Sequence, residues 1–132
     1  MEMDESQQQL IFRLSMYEQQ IQQIQQQLQL IEHGIIELAE LNIDLEDLKG
    51  KKDKEILAPI GKGIFVKAKL LSEDLIVDIG DRSYVKKDID QTKKIIERQV
   101  EKLENAKKEL RNSLVEIDNQ VSEMIEQAEK TN

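Results

Sequence analysis

The chain has 132 residues with 35% charged side chains, 3% aromatic ones and no Trp, which is typical of a coiled coil rather than a compact globule. It has no Cys, no apolar run long enough for a bilayer and no signal segment, so we expect a cytoplasmic protein without disulfides, thiolate metal sites or a membrane partner. The net charge of −8 lies mainly in residues 1–49, which disfavours phosphate contacts, and no nucleic-acid partner is expected.

The first 49 residues are predicted to form a long helix, with its heptad pattern running from Ser6 to Lys49. Between Leu10 and Leu38 apolar residues recur at alternating steps of four and three, which is the a/d seam of a coiled coil. The next apolar residue, Leu41, comes after a step of three. The pattern therefore predicts a local overwinding, or stammer, at that point.

Polar residues mark both ends of this helix. Ser6 and Gln9 have the spacing of a capping box at the start. Gly50 stands where a helix commonly ends in the left-handed conformation. Gly34 lies within the helix at a position next to the seam, where it could serve a close neighbour, permit a bend or be a tolerated imperfection.

Residues 50–87 change from a helical period to the period of two that is typical of strands. Turn residues divide this block into two hairpins with four predicted strands, namely Glu55–Ile60, Ile64–Leu71, Leu75–Ile79 and Tyr84–Lys86. Isolated hairpins are marginal in water and their edges are open, so we interpret the block as an oligomerisation module. The alternative is a closed cap that packs on the chain's own helices.

A second heptad-patterned helix is predicted in residues 88–132, with Asp88 as its N-cap and Gln91 at the matching capping-box position. The fold class is therefore mainly α, a long antiparallel coiled-coil hairpin with a central two-β-hairpin oligomerisation module. We expect one domain, residues 1–132. The β-hairpins would lie at one end of the coil and both chain termini at the other end, called the tip.

The tip is predicted to carry more apolar side chains than a two-stranded coil can bury. Its acidic rim would consist of Glu2, Asp4, Glu5, Glu116, Glu123, Glu126 and Glu129. An exposed apolar patch with a charged rim usually marks an interaction surface, although incidental apolar residues on a fraying end would give the same pattern. The candidate binding residues are Leu10, Ile11, Phe12, Leu14, Val121, Met124 and Ile125.

The sequence contains no residue set that indicates catalysis. His33, the only histidine, lies opposite the seam, and the glycines flanking Lys62 lack the spacing and context of a phosphate loop. The carboxylates are spread along helix faces rather than paired in a pocket. We therefore expect no enzyme activity, no cofactor and no metal.

The hairpin sequences resemble those of the prefoldin family, a family of co-chaperones. Residues 58–68 match its P-[IVL]-G-x-G-x-[FY]-[VI]-x-[AG] hairpin, and 77–80 and 84–87 match the turn and lysine-ended strand that follow it. Two hairpins indicate the alpha class, and the resemblance covers nearly the whole chain. It implies a platform of joined hairpins, to which Ile64, Phe65, Val66, Val77 and Ile79 would belong.

The resemblance further implies a hexamer of two alpha and four beta subunits. The tips of its coiled coils would bind non-native client proteins without ATP and deliver them to a group II chaperonin. The assignment of individual tip residues comes from periodicity in this chain and not from the family. A second reading remains open, in which the chain is a structural coiled-coil spacer or a filament-forming subunit that assembles through its β-hairpins.

Overall fold

The computed structural model describes residues 4–130, so the predictions that fall on residues 1–3, including Glu2, and on 131–132 lie outside it. In chain order the elements are α1 (Glu5–Asp47), β1 (Glu55–Gly61), β2 (Ile64–Lys69), β3 (Leu75–Gly80), β4 (Ser83–Lys87) and α2 (Ile89–Lys130). The predicted fold class, two long helices separated in sequence by two β-hairpins, is confirmed.

Helix α1 begins earlier than its predicted capping box. The Asp4 carboxylate accepts a hydrogen bond of 2.8 Å from the backbone N–H of Gln7, and the Asp4 carbonyl accepts one of 3.1 Å from the N–H of Gln8. Asp4 is therefore the N-cap, and the prediction of a cap at Ser6 is wrong. Aspartate is as strong a cap as serine, and capping from position 4 leaves Ser6 inside the first turn.

Helix α1 ends at Asp47, two residues before the predicted end at Lys49, and the predicted left-handed glycine, Gly50, follows in the turn. This glycine has a φ of 76°, in the left-handed region that disfavours side chains. Its N–H donates a hydrogen bond of 2.7 Å to the Glu73 carboxylate, so the turn after α1 is tied to the segment between the two hairpins.

The two hairpins share one construction. In each, strands pair antiparallel, β1 with β2 and β3 with β4, and the register shifts by one residue just before the turn, at Ile60 and at Ile79. The two-residue turns Lys62–Gly63 and Asp81–Arg82 have positive φ at both positions, which is the twist that suits a tight hairpin.

Helix α2 begins as predicted. The Asp88 carboxylate accepts a hydrogen bond of 2.7 Å from the N–H of Gln91, and the Gln91 side chain accepts one of 3.3 Å from the N–H of Asp88. This reciprocal pair is a capping box and confirms the predicted start of the helix.

The described chain divides into two compact units. In the first, residues 4–35 of the N-terminal part pack with 102–130. Glu32 forms ion pairs with Lys107 at 3.5 Å and with Arg111 at 3.6 Å, which fixes an antiparallel register between the two helices. Leu14 of α1 and Met124 of α2, both in this unit, are half-buried.

The second unit comprises Ile36–Glu101. Its core is formed by Leu45, Ile89 and Ile96, with Leu38, Leu48, Leu75 and Val100 packed against them. Leu75 comes from β3, so the base of the second hairpin is anchored on the helices of this unit.

Ion pairs flank this core. Lys93 is bonded to Glu46, and Lys49 lies 2.7 Å from Asp90 and 3.2 Å from Glu46. The hydrogen bond from Lys93, followed by the one from Lys49, holds the pKa of the Glu46 carboxyl below its usual range. The Lys49 ammonium likewise lowers the pKa of Asp90, and its own pKa is raised, first by Asp90 and then by Glu46.

The predicted stammer at Leu41 is wrong. Leu41 is exposed, whereas Asn42 is half-buried and takes the next position of an uninterrupted four-three pattern that continues to the buried Leu45. The Asn42 side-chain oxygen is buried without a hydrogen-bond partner among the described residues. The coil thus keeps its register by accepting a polar residue in the seam.

Candidate functional site

A first exposed surface lies near the start of α1 and the end of α2, within the first unit. Four large apolar side chains there are exposed, Ile11, Phe12, Met16 and Ile125, and we call them the tip patch. Phe12 is the most exposed of the four, at 66%. Such side chains cost free energy in water, so they favour contact with another apolar surface.

The other predicted tip residues have a different role in the packing. Leu10, Leu14, Val121 and Met124 are half-buried in the seam between the helices. They present only part of their surface to a partner. The exposed members of the predicted set are therefore Ile11, Phe12 and Ile125, and Met16, an apolar residue of the same end that also misses the seam pattern, is exposed as well.

Phe12 sits in a shallow depression of about 440 Å³ on one face of α1. The depression is lined by Glu5, Gln8, Gln9, Phe12 and Arg13. The helical spacing puts an aromatic ring beside both carboxylate and amide groups, so the surface can take apolar and hydrogen-bonding groups together.

A second exposed surface lies on the hairpins. Of the five predicted interface residues, Ile64, Phe65, Val66 and Ile79 are exposed. The fifth, Val77, is half-buried and pairs across the strands with Val85. The prediction that these residues form an interface stays a prediction.

Four further apolar side chains on the strands are exposed and were not among the predicted interface residues. They are Leu57, Ile60, Ile76 and Tyr84, with Ile76 at 78%. For Ile60 and Tyr84 a sequence signal exists in an internal repeat: the pattern I-G-x-x-x-[FY]-V-K occurs at 60–67 and again at 79–86. Equivalent positions such as Phe65 and Tyr84 are therefore exposed in both hairpins.

An open groove of about 560 Å³ runs beside the core of the second unit. Its lining includes the half-buried Asn42, the exposed Ile43 and the charged Lys93 and Glu97. Asn42, whose side-chain oxygen has no hydrogen-bond partner among the described residues, is one of the residues that line this groove. The polar seam position thus lies at the edge of a surface groove and not in a closed core.

Metal binding and membrane spanning find no support among the described residues. Among residues 4–130, no group of three or more His, Asp or Glu side chains is placed to hold a metal ion. In the same part of the chain, no helix is long and apolar enough to cross a membrane.

Comparisons with known proteins agree on one family. Residues 17–132 match the family model described as Prefoldin subunit. The chain is 40% identical over 87 residues to prefoldin subunit alpha of Methanobrevibacter smithii, a match that covers 65% of this chain and 60% of that one. It is 38% identical over 89 residues to prefoldin subunit alpha of Methanococcus aeolicus, covering 66% of this chain and again 60% of the relative.

Among solved structures, the chain is similar to filamentous PFD from Methanocaldococcus jannaschii, determined by cryo-EM. The TM-score is 0.77 and the match covers 86% of this chain and 96% of that one. At 21% sequence identity this likeness shows a shared fold alone.

Proposed function

Because this chain belongs to the prefoldin family of chaperones and its curated relatives are alpha subunits, we propose that it is a subunit of an ATP-independent co-chaperone. It binds non-native proteins at the tip patch and delivers them to a group II chaperonin in the cytoplasm. The observation that carries the proposal is the exposure of Ile11, Phe12, Met16 and Ile125, which belong to the same unit.

Weak contacts of this kind are useful to a holdase. One exposed Phe12 and three aliphatic neighbours bury little area, so a single patch binds loosely and without strict sequence preference. When several subunits present such patches to one client, linkage raises the overall affinity by about 10²- to 10⁴-fold without any new contact. Loose and multivalent binding suits clients that expose apolar segments anywhere along the chain.

The hairpins support the assembly that multivalency requires. Their exposed apolar residues and open strand edges need cover from other chains, and both hairpins offer equivalent positions. We propose that they join the hairpins of four beta subunits and a second alpha subunit in a hexamer. The predicted interface residues are Ile64, Phe65, Val66, Val77 and Ile79.

The proposal is tested with the variant Ile11→Ser/Phe12→Ser, mixed with a beta-type partner. We expect the same assembled mass by light scattering but several-fold weaker suppression of client aggregation, because the apolar contact area is lost. The matched control is Leu30→Ser/Val115→Ser, which removes two side chains that are 73% and 61% exposed in the same unit but outside the tip patch. Equal protection by both variants would remove the tip patch from the proposal.

A second candidate function is structural, with the chain acting as a coiled-coil spacer or filament subunit. It is favoured by the filamentous assembly named for the Methanocaldococcus jannaschii protein, whose fold this chain shares. Light scattering of the chain alone separates the two functions. A series of masses that grows with protein concentration would support the filament, whereas a discrete mass formed only with the beta-type partner supports the co-chaperone.

A further inference from the structure

Charge is concentrated around the tip patch. Residues 4–18 and 120–130 carry six carboxylates against two basic side chains, a net charge of −4. The rest of the first unit, residues 19–35 and 102–119, carries five carboxylates against four basic side chains, a net charge of −1. The acidic character is thus a property of the tip patch and its surroundings rather than of the whole unit.

Five of these six carboxylates are available to a partner, whereas the sixth, Asp4, caps α1 by accepting a hydrogen bond from the N–H of Gln7. All of them are exposed, and none forms an ion pair with another residue in the described range 4–130. The unit does pair acids elsewhere, since Glu32 is held by Lys107 and Arg111. The six are Asp4, Glu5, Glu18, Glu123, Glu126 and Glu129.

The carboxylates and the apolar side chains are interleaved. Glu123 and Glu126 lie on either side of the pair Met124–Ile125 in sequence, and Glu5 lines the same depression as Phe12. Arg13 is the one basic side chain at that depression. A ligand segment that covers the apolar side chains must therefore bring its flanking residues close to several negative charges.

We propose, building on the proposed function, that the tip patch selects client segments in which apolar residues are flanked by Lys or Arg. Such segments satisfy both parts of the surface, since their apolar residues cover the tip patch while their cations meet unpaired carboxylates. The long aliphatic stems of Lys and Arg also lie on apolar surface while keeping the charge in water. Segments flanked by Glu or Asp are disfavoured because like charges repel.

The test uses the full chain assembled with its beta-type partner and three synthetic peptides. The peptides share one apolar core and are flanked on each side by two Lys, two Gln or two Glu. Affinities are measured by fluorescence anisotropy at low and at high salt. We expect the Lys-flanked peptide to bind about 3- to 10-fold tighter than the Gln-flanked one at low salt, the range expected for a few exposed charge pairs.

Salt and two variants supply the controls. At 1 M salt, where the screening length is about 3 Å, the preference should fall to near unity. At low salt, Glu123→Gln/Glu126→Gln should reduce the preference for the Lys-flanked peptide. Glu104→Gln/Glu109→Gln removes two acids that lie outside residues 4–18 and 120–130, and it should leave that preference unchanged.

Failure of this inference is distinct from failure of the proposed function. Equal affinity for the three peptides, with client aggregation still suppressed, would overturn the selectivity and leave the holdase. No binding of any peptide together with no suppression would overturn both. Loss of chaperonin binding in Glu123→Gln/Glu126→Gln, with peptide preference intact, would assign the carboxylates to chaperonin docking and overturn the inference.

Discussion

The seam position held by Asn42 offers the sharpest test of the packing described above. Its side-chain oxygen is buried without a partner among the described residues, between the seam leucines Leu38 and Leu45. Leucine has nearly the shape of asparagine and no polar atoms. We predict that Asn42→Leu stabilises the chain, because it replaces an unpaired acceptor by apolar contacts at the same place.

The size of the effect follows from the environment of the residue. A buried and unsatisfied acceptor costs about 1–3 kcal/mol, and the upper end of that range does not apply because Asn42 also lines the open groove. We therefore expect a gain of about 1.5–2 kcal/mol. With an unfolding entropy of about 2.1 cal/mol/K per residue, that gain raises Tm by roughly 5–7 °C for a chain of this length.

The assay is thermal and urea unfolding followed by far-UV circular dichroism, at one fixed protein concentration because subunit association shifts apparent stability. The matched control is Leu41→Asn, at the neighbouring position that is 45% exposed. It should change the free energy of unfolding by no more than about 0.5 kcal/mol. A neutral Asn42→Leu combined with a strongly destabilised Leu41→Asn would show that the seam runs through Leu41 and would refute this reasoning.

Three further predictions concern the helix, a turn and acid stability. Gly34→Ala should stabilise the chain by about 1 kcal/mol in urea unfolding, since an added Cβ would meet Leu103 Cδ1 at an ordinary 3.5 Å; destabilisation would mean that the glycine serves a closer contact. Arg82→Gly should stabilise by about 1 kcal/mol, because Arg82 holds a φ of 59°, and an unchanged urea midpoint would contradict this. The pKa values of Glu46 and Asp90 are held below their ordinary 4.5 and 3.8, so these two carboxylates stabilise the folded chain at any pH above those ordinary values. This stabilisation is lost as the pH falls through the lowered pKa values. Glu46→Gln/Asp90→Asn should flatten the fall in urea midpoint below pH 4.5, and an unchanged acid slope would exclude the ion pairs as its source.

Much of the fold was predictable because it rests on periodic patterns. The four-three spacing of the helices, the Asp88 cap and the alternating strands are each repeated or local signals. The hairpin turns were predictable for a similar reason, since Gly63 and its neighbours suit the positive φ that a tight turn needs.

The errors occurred where two local choices were both reasonable. Asp4 and Ser6 are equally good caps, and the choice between them depends on where the backbone leaves the helix. Leu41 is the more apolar neighbour of Asn42, yet Asn42 lies in the seam. Placing one polar residue in the seam costs less free energy than shifting the register that every other seam residue shares.

The candidate surfaces were likewise predictable only in part. Apolar residues beyond the seam could be named from the sequence, but burial depends on what lies across from each side chain. Periodicity placed Leu14 and Phe12 in one predicted patch, whereas the partner helix half-covers Leu14 and leaves Phe12 two-thirds exposed.

The sequence by itself determined the elements, their order and the family, because the spacing of apolar residues and the residue types at turns are local features of the chain. Only the tertiary structure decided which apolar side chains remain open to a partner. It also decided that the coil keeps its register through Asn42, because the register is set by the contacts of all seam residues with the opposite helix at once.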